Sequence, residues 1–251
     1  MKKLSLIVIQ CRYNSSRLLG KALYPLVNIP ILVFLIRRLK ESLDHNSFRI
    51  VLATSIKNDD NIIGEWGKSE NIPVIRGSKK DVLKRYIQSI KVYPCKTIVR
   101  VTADNPLTCP EIIKWLINEQ QNKCLDYVFC SNLPYGAGVD VFSYNVLETL
   151  DKKKLSNKER EHINLHILNN RNIFKTSLLQ VSDKRARPDI SLTIDTFEDW
   201  LKLNSLFHPN EIAPWRISLN EAINRMDKNY IQRIKDPEHS PIYFANLKER
   251  I

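Results

Sequence analysis

Three stretches of the sequence combine residue types and spacings that can do chemistry. The first, QCRYNSSRLLGK from Gln10 to Lys21, follows the apolar run LSLIVI and holds Arg12, Arg17, Lys21, Ser15 and Ser16 without an acidic residue. Cations, hydroxyls and loop amides at a strand exit form a cradle for phosphate oxygens, although a solvated basic loop has the same composition. Neither GxxxxGK[ST] nor GxGxxG is present, which weakens the P-loop and dinucleotide-binding readings. The second stretch, RVTADNPL, places Asp104 after an apolar strand and ahead of Pro106. A carboxylate there suits a divalent cation that takes a ligand's phosphates as further oxygen donors, and equally suits the capping of a turn. The third, SLTIDTFEDW, ends a β-rich run on Asp195 and starts a helix with Glu198 and Asp199. Those two favour the helix N-terminus, which leaves Asp195 as the candidate second metal ligand. Two carboxylates from separate strands opposite a basic loop are what metal-assisted nucleotidyl transfer requires.

The elements that must position these residues alternate. Strand-like runs LSLIVIQ, RIVLAT, IPVIRG, TIVRVT and DYVFCS are separated by the helix-like IPILVFLIRRLKES, NDDNIIGEWGKSE, DVLKRYIQSI and PEIIKWLINEQQ. That order predicts a mostly parallel sheet flanked by helices. Ile31, Leu35, Leu39 and Leu43 share one helical face, as do Val82, Leu83, Tyr86, Ile87 and Ile90. Pro30 and Pro110 stand where a first-turn proline is tolerated. After Asn132 the rhythm shifts: GVDVFSYNVLETL reads as strand then helix, KEREHINLHIL as a polar helical stretch, FKTSLLQV and SLTIDT as strands. No Gly/Ser/Pro-rich linker intervenes, so one domain is expected over 1–226, with an acceptor-side lobe over roughly 132–190. The charged tail, 227–251, is expected to pack on the domain or at an oligomer interface. Gly20, Gly77, Gly136 and Gly138 fall in loops where positive φ or close ligand approach needs them, the loops on which open α/β sheets bind ligands.

Bulk properties narrow the class. With 251 residues, 43% hydrophobic and 26% charged, the chain can bury a large globular core. It shows no run of 18 apolar residues and no charged, apolar leader near Met1, so a soluble cytoplasmic protein without a membrane partner is expected. Five cysteines without a CxxC pair indicate reduced thiols rather than a disulfide framework or zinc site; Cys11, beside the basic loop, is the one placed to react. A net charge of +12 points to an anionic partner: nucleic acid, an acidic membrane, or a small phosphorylated or carboxylated substrate. Trp66, Trp115 and Trp200 lie in helix-like patterns instead of among basic strand residues. That disfavours a stacking platform and leaves a non-enzymatic nucleic-acid-binding protein as the weaker alternative.

The motifs together resemble a known family. IVIQCRYNSSRLLGKAL, RGSKKDVLKRY, RVTADNPL, GVDVFS, EREHI, RPDISLTIDTFEDW and ISLNEAI follow, in order, the blocks of cytidylyltransferases related to the spore-coat polysaccharide biosynthesis protein SpsF, themselves similar to acidic-sugar (acylneuraminate and KDO) cytidylyltransferases. The resemblance implies a three-layer nucleotide-diphospho-sugar transferase fold with a mostly parallel, mixed sheet. It also implies transfer of CMP from CTP to an acidic sugar or related acceptor, with Mg2+ and release of pyrophosphate, in the synthesis of surface polysaccharide such as capsule. A phosphorylated acceptor, such as a phospho-amino acid or phosphonate, is the alternative within this chemistry, and a homodimer is an expected assembly. Carried over residue by residue, Arg12, Ser15, Ser16, Arg17 and Lys21 hold the triphosphate, and Arg76, Gly77, Ser78 and Asp81 line the nucleotide side. Asp104 and Asp195 carry the metal; Asp140, Arg160, Glu161, His162 and Arg187 face the acceptor. Arg12, Lys21 and Asp104 are then the residues closest to the reaction. Cys11, Tyr13, Asn14 and Leu19 depart from the family pattern within the loop.

His162 reads either as a general base for the acceptor or as a helix residue bonded to its neighbours. With Asn164 and His166 it forms an H-x-N-x-H spacing that alternates around a helix, which argues against a histidine metal site.

Overall fold

The computed structural model describes residues 4–228; the rest of the tail, 229–251, lies outside the described residues. The strands are β1 (Ser5–Gln10), β2 (Pro25–Leu26), β3 (Ile29–Pro30), β4 (Phe48–Ser55), β5 (Val74–Gly77), β6 (Thr97–Thr102), β7 (Tyr127–Ser131), β8 (Asp140–Ser143) and β9 (Thr176–Gln180). The helices are α1 (Ile31–Ser42), α2 (Asn61–Ser69), α3 (Val82–Val92), α4 (Pro110–Lys123), α5 (Tyr144–Lys152), α6 (Asn157–Glu161), α7 (Leu165–Asn169), α8 (Phe197–Asn204) and α9 (Leu219–Lys228).

Burial of β1 on both faces explains its uninterrupted apolar run. Side chains alternate across a strand, so Ile7 and Ile9 enter the layer that holds α1 and α4, while Leu6 and Val8 enter the layer that holds α3 and α5. All four are fully buried. The resulting seven-stranded sheet runs β5-β4-β1-β6-β8-β7-β9. β1 pairs in parallel with β4 and β6, β4 with β5, and β7 with β9, whereas β8 is antiparallel to both its neighbours. Helices cover both faces, giving the mostly parallel, mixed three-layer architecture expected. None among the described residues is long and apolar enough to cross a membrane.

Strand order grows away from β1 through β4 and β5 on one side, and through β6 on the other. The crevice above such a reversal is where open α/β sheets bind ligands. Gln10 and Thr102 are register partners at the ends of β1 and β6, so the basic loop and Asp104 leave the sheet side by side.

Two segments differ from the sequence reading. KEREHINLHIL is not one helix: a Ser156–Glu159 capping box starts α6, and the chain breaks at His162 before α7. The break buries Ile163, which joins the core with Tyr127 and Phe142, and Asn164, which donates to Asp140. SLTIDT is not a sheet strand. It makes one isolated bridge, Ser191 with Tyr135, and spends its backbone on loops: Tyr135 N–H donates to Ile190 O (2.8 Å), Leu192 N–H to Tyr135 O (2.7 Å) and Ile194 N–H to Asp104 O (2.9 Å). Buried Leu192 and Ile194 anchor it, so it acts as a plug that carries Asp195 to the exit of β6.

Gly136 closes this plug. Its φ is 92°, and a Cβ there would lie 2.8 Å from Thr193 N and 3.0 Å from Asn105 Oδ1. Gly136→Ala is therefore expected to cost about 1–3 kcal/mol, read as a lower urea midpoint at unchanged slope.

Candidate functional site

Lys21 is the centre of the crevice. Its ammonium donates to Asp104 Oδ2 at 2.6 Å and to Asp195 Oδ1 at 2.7 Å, with only 13% of the side chain exposed. Arg17 reaches the same Asp195 oxygen at 2.8 Å from a largely exposed position. Burial disfavours the Lys21 charge, but the two carboxylates outweigh it and hold its pKa above the ordinary lysine value. Burial likewise opposes the Asp104 charge, and the Lys21 cation and its hydrogen bond overcome that and pull the carboxyl below its ordinary range. Lys21 and Asp104 are thus both charged at neutral pH.

The loop that delivers Lys21 is pinned at both ends. Gly20 N–H donates to Tyr13 O (2.8 Å), and with φ at 67° its hydrogen-only α-carbon lies under the Tyr13 ring, where a Cβ would be 3.0 Å from Tyr13 Cε2. Tyr13 N–H donates to buried Asp60 (2.6 Å) and Asn14 Nδ2 to Asp59 (2.6 Å). The two departures Tyr13 and Asn14 therefore tie the loop to the turn after β4. Ser15 is half-buried and Ser16 exposed within it. Cys11 corrects an expectation: it is buried in the core, and burial raises its thiol pKa, the opposite of a reactive thiolate.

On the β5 side, Arg76 donates to Ser55 O and Lys57 O, both at 2.9 Å, and Gly77 is level with Ser55. Ser78 Oγ accepts from Asp81 N–H (3.2 Å), and Asp81 caps α3 through Lys84 N–H (2.9 Å). Arg160, from the expected acceptor group, is drawn to this side instead, donating to Asp81 and Asp151 at 2.7 Å each. Arg187 is also apart from the centre, clamped by Asp189 (2.9 Å) and Asp227 (2.8 Å).

The β8 side holds the remaining acceptor candidates. Asp140 accepts from Arg100 Nη1 (2.7 Å), from Asn164 Nδ2 (3.3 Å) and from the Tyr127 hydroxyl. Arg100 also donates to Gln10 Oε1 (3.3 Å). Arg12 pairs with Glu161 at 3.2 Å, bridging the basic loop to α6. Burial, then the Arg100 cation, holds the pKa of His162 below its ordinary value, so its imidazole is neutral at pH 7.

Arg100, Asp60 and Arg85 were not singled out from sequence. Arg100 and Asp140 are cross-strand partners, a relation only the β6–β8 register reveals. Arg85 is 2% exposed, with Nε and Nη1 lacking a hydrogen-bond partner, and burial lowers its pKa. Its signal was a cation one helical turn after Val82 on the apolar face of α3.

The site suits a hard divalent cation. Asp104 and Asp195 aim oxygens at one point, now marked by the Lys21 ammonium, and carboxylate oxygens are the donors Mg2+ prefers. Among the described residues no group of three or more His, Cys, Asp or Glu could hold a metal. A cation there would complete its shell with water or with a ligand's phosphates. A cavity of about 460 Å3 lined by Cys109, Glu111, Arg185 and Leu219, among others, includes none of these residues.

The model of a family described as cytidylyltransferase matches residues 6–236. The spore coat polysaccharide biosynthesis protein SpsF of Bacillus subtilis is 31% identical over 227 residues, 89% of this chain and 94% of that protein. The uncharacterized protein MJ1063 of Methanocaldococcus jannaschii is 37% identical over 223 residues, 88% of this chain and 90% of its own length. A cytidylyltransferase structure from Leptospira borgpetersenii superposes with a TM-score of 0.82 at 28% identity, over 94% of this chain and 98% of that one.

The coupled pair also sets a pH signature. Stability from Asp104, whose folded pKa is depressed, is present above the ordinary carboxylate value and lost as pH falls through the folded one; that from Lys21, whose pKa is raised, is present below the ordinary lysine value and lost as pH rises through the folded one. Asp104→Asn is expected to flatten the acid limb of urea stability against pH, relative to the unsubstituted protein.

Proposed function

Within the cytidylyltransferase family, to which the chain belongs, we propose that this CTP-dependent nucleotidyltransferase transfers CMP to an acidic sugar or related acceptor for surface polysaccharide synthesis. The observation that carries this reading is the Lys21 bridge between Asp104 and Asp195 at the exit of β1 and β6, beside the basic loop. The SpsF relative, named for spore coat polysaccharide biosynthesis, supports the pathway class.

In the proposed reaction, an acceptor oxygen attacks the α-phosphorus of CTP in line, the bond to the β-phosphate oxygen breaks, and pyrophosphate departs. Arg12, Arg17 and Lys21 neutralise the triphosphate and then the leaving pyrophosphate, while the serine hydroxyls and loop amides orient it. A divalent ion on Asp104 and Asp195, proposed to be Mg2+, supplies Lewis-acid polarisation of the phosphate oxygens. Arg76, Gly77, Ser78 and Asp81 form the nucleoside wall. Asp140, oriented by Arg100, and Glu161 lie on the acceptor side. Neutral His162 is available there to take the acceptor's hydroxyl proton.

Pyrophosphate release from CTP and Mg2+ across a panel of acidic sugars and phosphorylated acceptors tests the reading. Asp104→Asn and Asp195→Asn are each expected to lower kcat about a hundredfold or more, with a cooperative thermal unfolding transition retained. Full activity of Asp104→Asn would overturn its metal role, and turnover only with phosphorylated acceptors would replace the acidic-sugar assignment.

A further inference from the structure

We infer that Lys21 is a resident counter-ion that a divalent cation must displace, so that the carboxylate pair binds metal tightly only when a triphosphate draws Lys21 away. This rests on the proposal that Asp104 and Asp195 are the metal ligands.

The geometry is direct. One ammonium satisfies Asp104 Oδ2 and Asp195 Oδ1 at 2.6 and 2.7 Å, close to the distance expected of a charge-assisted hydrogen bond. A metal ion at the point these oxygens share and the ammonium cannot occupy the same volume. Charge gives the same answer: two carboxylates face Lys21 and Arg17, so the four groups sum to zero. A neutral cluster offers little attraction to a divalent cation, and displacing Lys21 alone strands an ammonium whose side chain is only 13% exposed.

A triphosphate changes both terms. Its oxygens accept Lys21 and Arg17, restoring two uncompensated carboxylates, and supply metal ligands where the described residues offer no third His, Cys, Asp or Glu. Metal and triphosphate then strengthen one another's binding through the position of one side chain, and the coupling is reciprocal. Lys21 thus governs access of the cation as well as binding the phosphates, keeping the pair closed to metal that arrives alone.

Mn2+ binding without nucleotide, followed by electron paramagnetic resonance, tests this. Lys21→Met is expected to bind Mn2+ about tenfold tighter than the unsubstituted protein, because the carboxylates lose a competing ammonium and the cluster becomes net negative. Equal or weaker binding by a folded Lys21→Met protein would overturn the counter-ion role. A second measurement needs no substitution: acetylation of Lys21, quantified by mass spectrometry, should rise when Mn2+ saturates the unsubstituted protein. Saturation with labelling unchanged would show that metal and Lys21 coexist, which also overturns the inference. The underlying metal reading fails separately, if Asp104→Asn and Asp195→Asn combined leave Mn2+ affinity as it was.

Discussion

One ammonium shared by two carboxylates organises this molecule. Lys21, Asp104 and Asp195 come from three distant parts of the chain, and each partner is held by a different device. The basic loop is tethered by Tyr13 and Gly20, Asp104 follows a strand locked beside β1, and Asp195 rides on a segment sealed against Gly136. Like charges this little exposed would repel strongly without the cation between them. Satisfying that cluster is thus a condition on loop, sheet and plug together.

The sheet divides the crevice by chemistry. Towards β5, Asp60 fixes the loop and Arg76 fixes the turn after β4, both through backbone groups. Towards β8, side chains bond to side chains: Gln10, Arg100, Asp140, Tyr127 and Asn164 form one connected polar network. Backbone anchoring suits the wall proposed to meet the nucleotide, and a side-chain network, which substitution can retune, suits the wall proposed to face the acceptor.

The net charge of +12 is a poor guide to where function lies. Arg160 is spent between Asp81 and Asp151, Arg187 between Asp189 and Asp227, and Arg225 between Glu211 and Glu221. These cations tie elements together. Arg12, Arg17 and Lys21 are distinguished by their position at a strand exit.

Alternating apolar runs were enough to announce a parallel sheet, because strands buried on both faces read as LIVI and helices show their own period. The basic loop, Asp104 and Asp195 were also legible, since strand exits are marked by a change from apolar to polar residues. Other features were not. SLTIDT has the composition of a strand, yet its backbone hydrogen bonds go to loop residues Tyr135 and Asp104, which the close approach of Gly136 to Thr193 brings against it. The Arg100–Asp140 pair depends on the register of an antiparallel strand inserted into a parallel sheet. Local pattern determined the elements and the kinds of residue at their ends. Which distant ends meet is a property of long-range pairing and packing, so only the tertiary structure decided that Lys21 lies between the two carboxylates.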